Sequence, residues 1–347
     1  DGGKNWSKFT NNMPATAVHF IEMHPKTNDV VLGTHGRGVI IIDDISPLRQ
    51  IDEELLAKDV HFFDMEPSVI VEQSGFGGGS TETQFVGPNP TRSAKIIYYL
   101  KKRHTFGKMT MHIEDQEGNV IAELTPGKSK GINVVTWNFT SKAPKMAKGK
   151  TFTFGGFTAP RVLPGTYTIV LNKGKSKYTK ELVVESDPTS LLSEEERIAK
   201  HEVVKQLYDM SQDLAYMVYE LDAIVERAEK LKEKSGGKKV AQPVIDELTS
   251  LKETLVITTG DNYVGAAEPQ LRELQGDLYS KLASSYDKPT SAEMANLSRL
   301  KKRFDEAKAS FDKIKNKEVA KMSKFIEKHD LEGIQILKFD EFVDSDL

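Results

Sequence analysis

The hydrophobic pattern changes period near residue 190, and this change constrains the fold more than any other feature of the chain. Before it, β-branched and aromatic runs are broken by Gly, Pro and Asn, a pattern typical of short strands. After it, Leu and Ala recur with helical spacing among Glu and Lys. Strands that precede helices, instead of alternating with them, indicate separate domains rather than βαβ units. We therefore predict a multidomain protein with β domains first and an α domain last.

Composition narrows the range of functions. A chain of 347 residues is long enough for two or three domains. Its net charge of −3 gives no electrostatic argument for nucleic-acid binding, and it has no apolar run of the ~18 residues that a membrane-spanning helix needs. Cysteine is absent, which excludes disulfides, thiol catalysis and cysteine zinc sites without fixing the compartment.

Residues 1–48 contain three predicted strands, at 17–23, 29–34 and 38–43. The turn between the last two is His35-Gly36-Arg37-Gly38, where glycine permits the positive φ angles of a tight hairpin. Three short strands cannot bury a core alone, and a propeller blade has the same need for neighbours. Residues 49–60 are predicted to be a linker.

Residues 61–188 are predicted to form an antiparallel β-sandwich, because strands of alternating pattern follow one another between turns. The predicted strands cover 94–100, 108–114, 120–124, 131–138, 165–171 and 178–184. Trp137, flanked by β-branched residues, is predicted to anchor the core between the sheets. The glycine-rich loop 75–80 lacks the Lys-Ser/Thr and the following helix of a phosphate-binding loop, so we interpret it as a mobile loop or a partner contact.

Residues 191–330 are predicted to form an antiparallel helical bundle, with helices that begin near residues 193, 240, 268 and 290. Capping boxes mark two of these starts, Ser193 with Glu196 and Thr290 with Glu293. The first helix carries a heptad seam, which we expect to pack within the chain rather than in a dimer because further helices follow. The two rows of the seam are Val204, Ser211, Val218 and Val225, and Leu207, Leu214, Leu221 and Ala228. Residues 331–347 are predicted to be an extended acidic tail with a frayed end.

Several segments carry a family resemblance. Asp1-Gly2-Gly3-Lys4-Asn5-Trp6 matches the second half of an Asp-box, the Ser-x-Asp-x-Gly-x-x-Trp turn of β-propeller blades. With residues 31–44, it resembles the last blade of bacterial sortilin-like and sialidase-like propellers, the BNR-repeat group. Residues 90–188 are similar to an immunoglobulin-like domain of the FlgD type. The matching features are the Ile-Tyr-Tyr-Leu strand, residues 113–121, Gly131-Ile132-Asn133 with Trp137, and Pro164-Gly165-Thr166-Tyr167.

The resemblance implies a position within a larger protein. Large bacterial propeller proteins of this group have the order propeller, Ig-like domain, C-terminal helices, so the chain is expected to be the C-terminal part of such a protein. The implied location is secreted or in the cell envelope of a Gram-negative bacterium, at the periplasm, outer membrane or cell surface. The implied partners are the N-terminal propeller part of the same protein and an envelope protein complex, such as an outer-membrane assembly. No cofactor, nucleic acid or transmembrane segment is expected.

Three residues are candidate ligand or partner contacts. His35 and Arg37 lie at the hairpin tip, and Phe76 lies in the glycine-rich loop. An arginine at a propeller mouth can hold a carboxylate in a bidentate fork, and sialidases use an arginine cluster for that purpose. No other arginine shares a motif with Arg37, so a structural role is the favoured interpretation.

The sequence shows no catalytic or metal-binding constellation. The eight histidines have no metal-ligand spacing. Asp43 and Asp44 are adjacent at a strand end, so their side chains point to opposite faces, and we interpret them as the end of the strand. We therefore predict a non-catalytic scaffold or protein-binding region. The alternative is the accessory region of a sialidase-like glycoside hydrolase that acts on glycans, with its active site in the propeller.

Overall fold

The computed structural model has β-sheets in the first part of the chain and a helical region in the second. It describes residues 2–6, 8–10, 12–25, 27–72, 92–259 and 268–345. Within these ranges the last strand ends at Ser186 and the first long helix begins at Glu194. The predicted order of β before α is therefore confirmed.

The first sheet is an antiparallel meander. It consists of β1 (Val18–Met23), β2 (Val30–Thr34) and β3 (Val39–Ile42), in that order. Gly36 and Gly38 have φ angles of 77° and 68° in the β2–β3 hairpin, as the sequence predicts. None of the sheet's residues belongs to the buried hydrophobic clusters found in the described chain. The sheet therefore has no core of its own.

Two short helices occupy the segment that the sequence predicts as a linker, α1 (Ser46–Gln50) and α2 (Glu53–Ala57). Asp52 caps α2, because its Oδ1 accepts a hydrogen bond from the Leu55 amide at 2.7 Å. Leu55 is buried in a small cluster with Phe63, Ile97 and Tyr99. The segment is thus packed against the next sheet.

Two further sheets share one hydrophobic core. One has the order β4-β6-β9, and the other has the order β5-β11-β10-β7-β8. The strands are β4 (Val60–Phe62), β5 (Ser68–Ile70), β6 (Ala94–Leu100), β7 (Met109–Glu114), β8 (Val120–Leu124), β9 (Gly131–Trp137), β10 (Gly165–Lys173) and β11 (Ser176–Ser186). Trp137 is 2% exposed, and its indole N–H donates to the Thr140 carbonyl at 2.9 Å. Its predicted role as a core anchor is confirmed.

One strand pair departs from the predicted antiparallel arrangement. β5 runs parallel to β11, with Ser68 opposite Val184 and Ile70 opposite Ser186. A tight hairpin cannot join parallel neighbours, and Ser68 and Val184 are 116 positions apart (184 minus 68). This pairing joins two segments that are far apart in the chain, so local strand patterns do not predict it.

The second half of the chain packs as a set of helices. These are α3 (Glu194–Lys232), α4 (Lys238–Leu255), α5 (Leu271–Ser284), α6 (Ser291–Ile314) and α7 (Ala320–Lys328). Leu207, Leu214 and Val218 in the heptad seam of α3 are at most 1% exposed and belong to the core shared with the other helices. The prediction that the seam packs within the chain is confirmed, and both predicted capping boxes are present.

A π turn, Lys315–Val319, joins α6 to α7 where the sequence predicts one uninterrupted helix. Glu318 in this turn is buried and pairs with Lys317 and Lys321, each at 3.0 Å. All residues of the turn are compatible with an α-helix. Nothing in the sequence therefore predicts the additional residue that a π turn places in a helix.

The described part of the acidic tail packs against the helices, which corrects the prediction that it frays. Phe339–Val343 forms a short helix, α8. Phe342 is 4% exposed and stacks on Tyr219, with ring centroids 4.7 Å apart. Lys145 Nζ donates to the Ser345 carbonyl at 2.9 Å. Burial of an aromatic side chain therefore outweighs the local negative charge.

Candidate functional site

One face of the first sheet is the clearest candidate site. The register places Phe20 opposite Gly33 and Gly33 opposite Val39, so these positions share a face. Ile41 follows Val39 by two residues and lies on the same face. Phe20, Val39 and Ile41 are 78%, 66% and 58% exposed. Together with the half-buried Val31, these three side chains are called the open face.

A glycine shapes the open face. A Cβ built on Gly33 would lie 3.4 Å from the Phe20 Cβ and 3.9 Å from its Cδ2, so Phe20 leans over the middle strand. Glu22 is the charged residue of the paired rows and is exposed opposite Val31. The result is a flat apolar surface with a carboxylate at one end.

The opposite face of the sheet is better covered. Val30 and Leu32 are 9% and 7% exposed, although Ile21 beside Leu32 is 67% exposed. The two faces of the same strands therefore differ in how much apolar surface reaches solvent. This difference identifies the open face as the one without a covering layer in the described chain.

A groove along the edge of β3 includes one of the predicted contact residues. It is lined by Phe9, Met13 and Leu48 together with Arg37. Among the described strands β3 pairs only with β2, so its outer edge carries backbone donors and acceptors without a strand partner. Apolar walls beside such an edge are suited to the addition of another β-strand.

His35 and Arg37 lie on one hairpin but do not converge on one site. The His35 ring stacks on His19, with centroids 5.4 Å apart, and its carbonyl accepts from Thr16 Oγ1 at 3.0 Å. Arg37 lines the β3 groove, whereas His35 does not. Phe76 and the rest of the glycine-rich loop 75–80 lie outside the described residues.

Side-chain hydrogen bonds hold together the connections around the first sheet and α1. Asp29 accepts from the Thr27 hydroxyl and, at 2.9 Å, from the Asp44 amide, and these two bonds hold the pKa of Asp29 below its usual value. The Asp64 amide donates to Gln50 Oε1 at 2.9 Å, and Gln50 Nε2 donates to the Asp64 carbonyl at 3.3 Å. The Asp29–Asp44 bond ties the β1–β2 connection to the end of β3, and the Gln50–Asp64 bonds tie α1 to the chain after β4.

A second cluster of polar groups lies where the β-sheets meet the helices. Arg161 Nη1 donates to the Ala283 and Ser285 carbonyls at 3.2 and 3.3 Å, and its guanidinium carbon lies 4.1 Å from the centroid of the Tyr286 ring. Lys200 Nζ also donates to the Ser285 carbonyl, at 2.5 Å. Cations at a helix C-terminus neutralise its dipole and satisfy its last carbonyls. These side chains therefore secure the end of α5 to its surroundings.

A cleft beside this cluster contains His201. Arg161, Pro164, Val204 and Tyr208 line it with the histidine. Burial is the main cause that lowers the pKa of His201 below its ordinary value, so the imidazole is neutral at pH 7. The named residues of this cleft come from two segments, 161–164 and 201–208, that are far apart in the chain and share no motif, so the sequence does not reveal the site.

The described residues contain neither a candidate metal site nor a candidate membrane-spanning helix. Among the residues that the structure describes, no group of three or more His, Asp or Glu side chains could hold a metal ion. Over the same part of the chain, no helix combines the length and the apolar character needed to cross a membrane. Comparison of the sequence with protein-family models, with curated proteins and with solved structures found no match.

Proposed function

We propose that the chain is a non-catalytic scaffold and protein-binding region of a larger secreted or cell-envelope β-propeller protein. The observation that carries this proposal is the exposure of the open face. In the proposal, the first sheet is a propeller blade that docks against a neighbouring blade. The two-sheet unit is Ig-like, and the helices extend the scaffold toward an envelope assembly.

The amount of exposed apolar surface supports a protein partner. Full burial of one large apolar side chain contributes about 1.5–3 kcal/mol, so the open face offers a substantial driving force for association. Single exposed apolar residues are normal on a protein surface, whereas contiguous apolar patches mark interaction sites. Phe20, Val39 and Ile41 are contiguous, because they occupy neighbouring rows of one sheet.

The shape of the open face favours a second β-sheet as its partner. Sheets pack face to face about 10 Å apart through flat apolar surfaces of this kind. The turn ahead of β1 supports the blade assignment. Trp6 Nε1 donates to the Gly3 carbonyl at 2.8 Å, and Gly3 has a φ angle of 82°. Within the segment that resembles an Asp-box, Gly3 to Trp6 therefore form a compact turn closed by the tryptophan.

Site-specific photo-crosslinking tests the proposal. A benzoylphenylalanine is placed at Phe20 or Ile41 in the full-length protein, and crosslinked peptides are identified by mass spectrometry. Val134 is 56% exposed on the two-sheet unit and provides the matched control position. We expect crosslinks from the open-face positions to the strands of an adjacent β-sheet. Absence of such crosslinks, or equal crosslinking from position 134, would contradict the proposal.

A glycan reporter assay distinguishes the proposed scaffold from the glycoside hydrolase alternative. The proposal predicts no hydrolysis of a sialoside or glycan panel that depends on Arg37. If the full-length protein hydrolysed one of these glycans and the Arg37→Ala variant did not, the enzyme alternative would replace the scaffold. A Lys130→Ala variant, changed at an exposed cation of the two-sheet unit, controls for loss of charge alone.

A further inference from the structure

Three phenylalanines form an exposed cluster on the connection between β9 and β10. Phe152, Phe154 and Phe157 are 51%, 63% and 76% exposed. Their rings contact one another, since the Phe152 centroid is 5.0 Å from that of Phe154 and 5.1 Å from that of Phe157. We call these three residues the phenylalanine knob. Contiguous exposed aromatic surface of this kind marks a binding surface rather than random exposure.

The backbone under the knob is anchored to α5 at both ends. Arg272 Nη1 and Nη2 each donate to the Thr151 carbonyl at 3.1 Å. The Tyr279 hydroxyl donates to the Thr158 carbonyl at 2.8 Å. Arg272 and Tyr279 are themselves buried in the helical region. The knob is therefore held in place before binding, which reduces the entropy lost when it meets a partner.

Close packing of glycine fixes the turn that carries the knob. Phe154–Phe157 is a 3₁₀ turn, and a Cβ built on its Gly155 would lie 3.1 Å from the Gly276 Cα. The Thr158 amide and hydroxyl donate to the Gly155 and Phe154 carbonyls at 3.3 and 2.9 Å. These bonds satisfy part of the backbone internally, as required of a turn that enters a poorly hydrated environment.

Two exposed cations lie on the chain just before the knob. Lys148 and Lys150 are exposed two to four positions before Phe152. The acidic groups nearby are Glu273, which is paired with Arg272 at 2.6 Å, and Asp277, whose pKa burial raises. Lys148 also lines a cleft that contains Asp222 and Glu226. Basic residues that flank exposed aromatic side chains are characteristic of proteins that lie in the interface of a bilayer with anionic lipids.

We propose that the phenylalanine knob inserts into the interfacial region of an anionic lipid surface, with Lys148 and Lys150 at the headgroup phosphates. This inference goes beyond the proposed scaffold function. The knob protrudes, and its three side chains carry no hydrogen-bonding group. The exposed cations Lys148 and Lys150 beside the knob are what favour an anionic lipid surface as its partner.

Vesicle co-sedimentation of the full chain tests the inference. The probes are phosphatidylcholine vesicles with about one-third phosphatidylglycerol, and vesicles of phosphatidylcholine alone. We expect binding to the anionic vesicles and much weaker binding to the neutral ones. The Phe154→Ser/Phe157→Ser double variant is expected to lower the partition coefficient about tenfold or more, because two inserted rings are lost.

Matched variants make the test specific. Phe106 is 89% exposed on a separate loop, so Phe106→Ser controls for the loss of any exposed ring. The Lys148→Gln/Lys150→Gln variant is expected to bind the anionic vesicles more weakly. Lys130→Gln controls for the loss of a positive charge elsewhere on the surface. Thermal unfolding verifies that every variant folds, which is expected because the changed side chains are exposed. Absence of binding to anionic vesicles, or unchanged binding of the knob variant, overturns the inference. Loss of a protein contact in the knob variant without vesicle binding overturns it in favour of a protein partner.

A depth measurement gives an independent readout. Phe157→Trp, in a background in which Trp6 is replaced by Phe, reports insertion through quenching by lipids brominated on the acyl chains. Trp137 is 2% exposed and contributes only a constant background. We expect quenching of the new tryptophan by anionic vesicles. Lack of quenching while the protein is bound would show that another surface makes the contact and would overturn the inference.

Discussion

The first sheet and the helical region contain similar apolar residues in opposite environments. Leu207 and Leu214 on α3 are at most 1% exposed, because the neighbouring helices cover them. Phe20 and Ile41 on the first sheet are 78% and 58% exposed. The difference shows that an alternating or heptad pattern defines an apolar face but does not say whether the same chain covers it. Of these two regions, the helices cover their own apolar face and the first sheet does not.

A matched pair of leucine substitutions should give the largest difference between the two regions. Leu207→Ala removes a side chain that is 0% exposed, and we expect it to lower the free energy of unfolding of the helices by about 2–5 kcal/mol. Leu32→Ala makes the same change in β2, at a residue with 7% exposure but outside the hydrophobic clusters, and should cost about half as much or less. Urea unfolding followed by circular dichroism measures both.

Leu231→Ala, another fully buried position on α3, is the internal control for the helical side of this comparison. If Leu32→Ala destabilised the chain as strongly as the two α3 variants, the first sheet would have a core comparable to that of the helices. The contrast between the regions would then be wrong.

A second prediction tests how far the helices depend on capping as well as on their core. Hydrogen bonds from the Thr290 backbone and from Lys281 lower the pKa of Glu293 from 4.5 to about 2. A carboxylate with a lowered pKa stabilises the folded state fully above the unfolded pKa near 4.5 and loses that contribution as pH falls toward about 2. Glu293→Gln should therefore cost about 1 kcal/mol at pH 7 and progressively less in that acidic window.

Unfolding of the wild-type and Glu293→Gln proteins at several pH values between neutral and strongly acidic measures this effect. Glu306→Gln is the control, since Glu306 is exposed on the same helix and its lysine contact is long, at 3.9 Å. A difference between wild type and Glu293→Gln that stayed constant through the acidic window would show that the capping box does not supply the stability.

The smallest effect on stability is expected at the open face itself. Phe20→Ser and Ile41→Ser should change the free energy of unfolding by no more than about 0.5 kcal/mol, because little apolar area is buried there. Urea unfolding followed by circular dichroism measures both. A loss of stability like that of a core variant would mean that other parts of the chain cover the open face.

The features that the sequence predicts correctly are those set by neighbours in the chain. The hairpin glycines, the capping boxes and the α3 seam each follow from residues that are near one another in the sequence. Trp137 also belongs to this group, because β-branched neighbours on its own strand mark it as a core position. Such features depend on local backbone preference and on periodicity, which the residue pattern contains directly.

The features that the sequence does not predict depend on contacts between distant segments. The parallel pairing of β5 with β11, the packing of Leu55 on Tyr99 and the burial of Phe342 each need a partner far along the chain. The candidate sites are of the same kind. Alternation in β1 and β3 predicts that one face is apolar, but only the packed structure shows that Phe20 and Ile41 remain exposed.

Amide hydrogen exchange tests the central contrast most directly. β2 is the middle strand of the first sheet, so its amides are well paired, and their exchange reports opening of the sheet rather than missing hydrogen bonds. We predict that Val31 and Leu32 exchange through openings several kcal/mol less costly than those of Leu214 in α3, because the sheet lacks a core. Equal protection of β2 and α3 in the same chain would contradict this prediction. It would also contradict the proposal that a partner covers the open face.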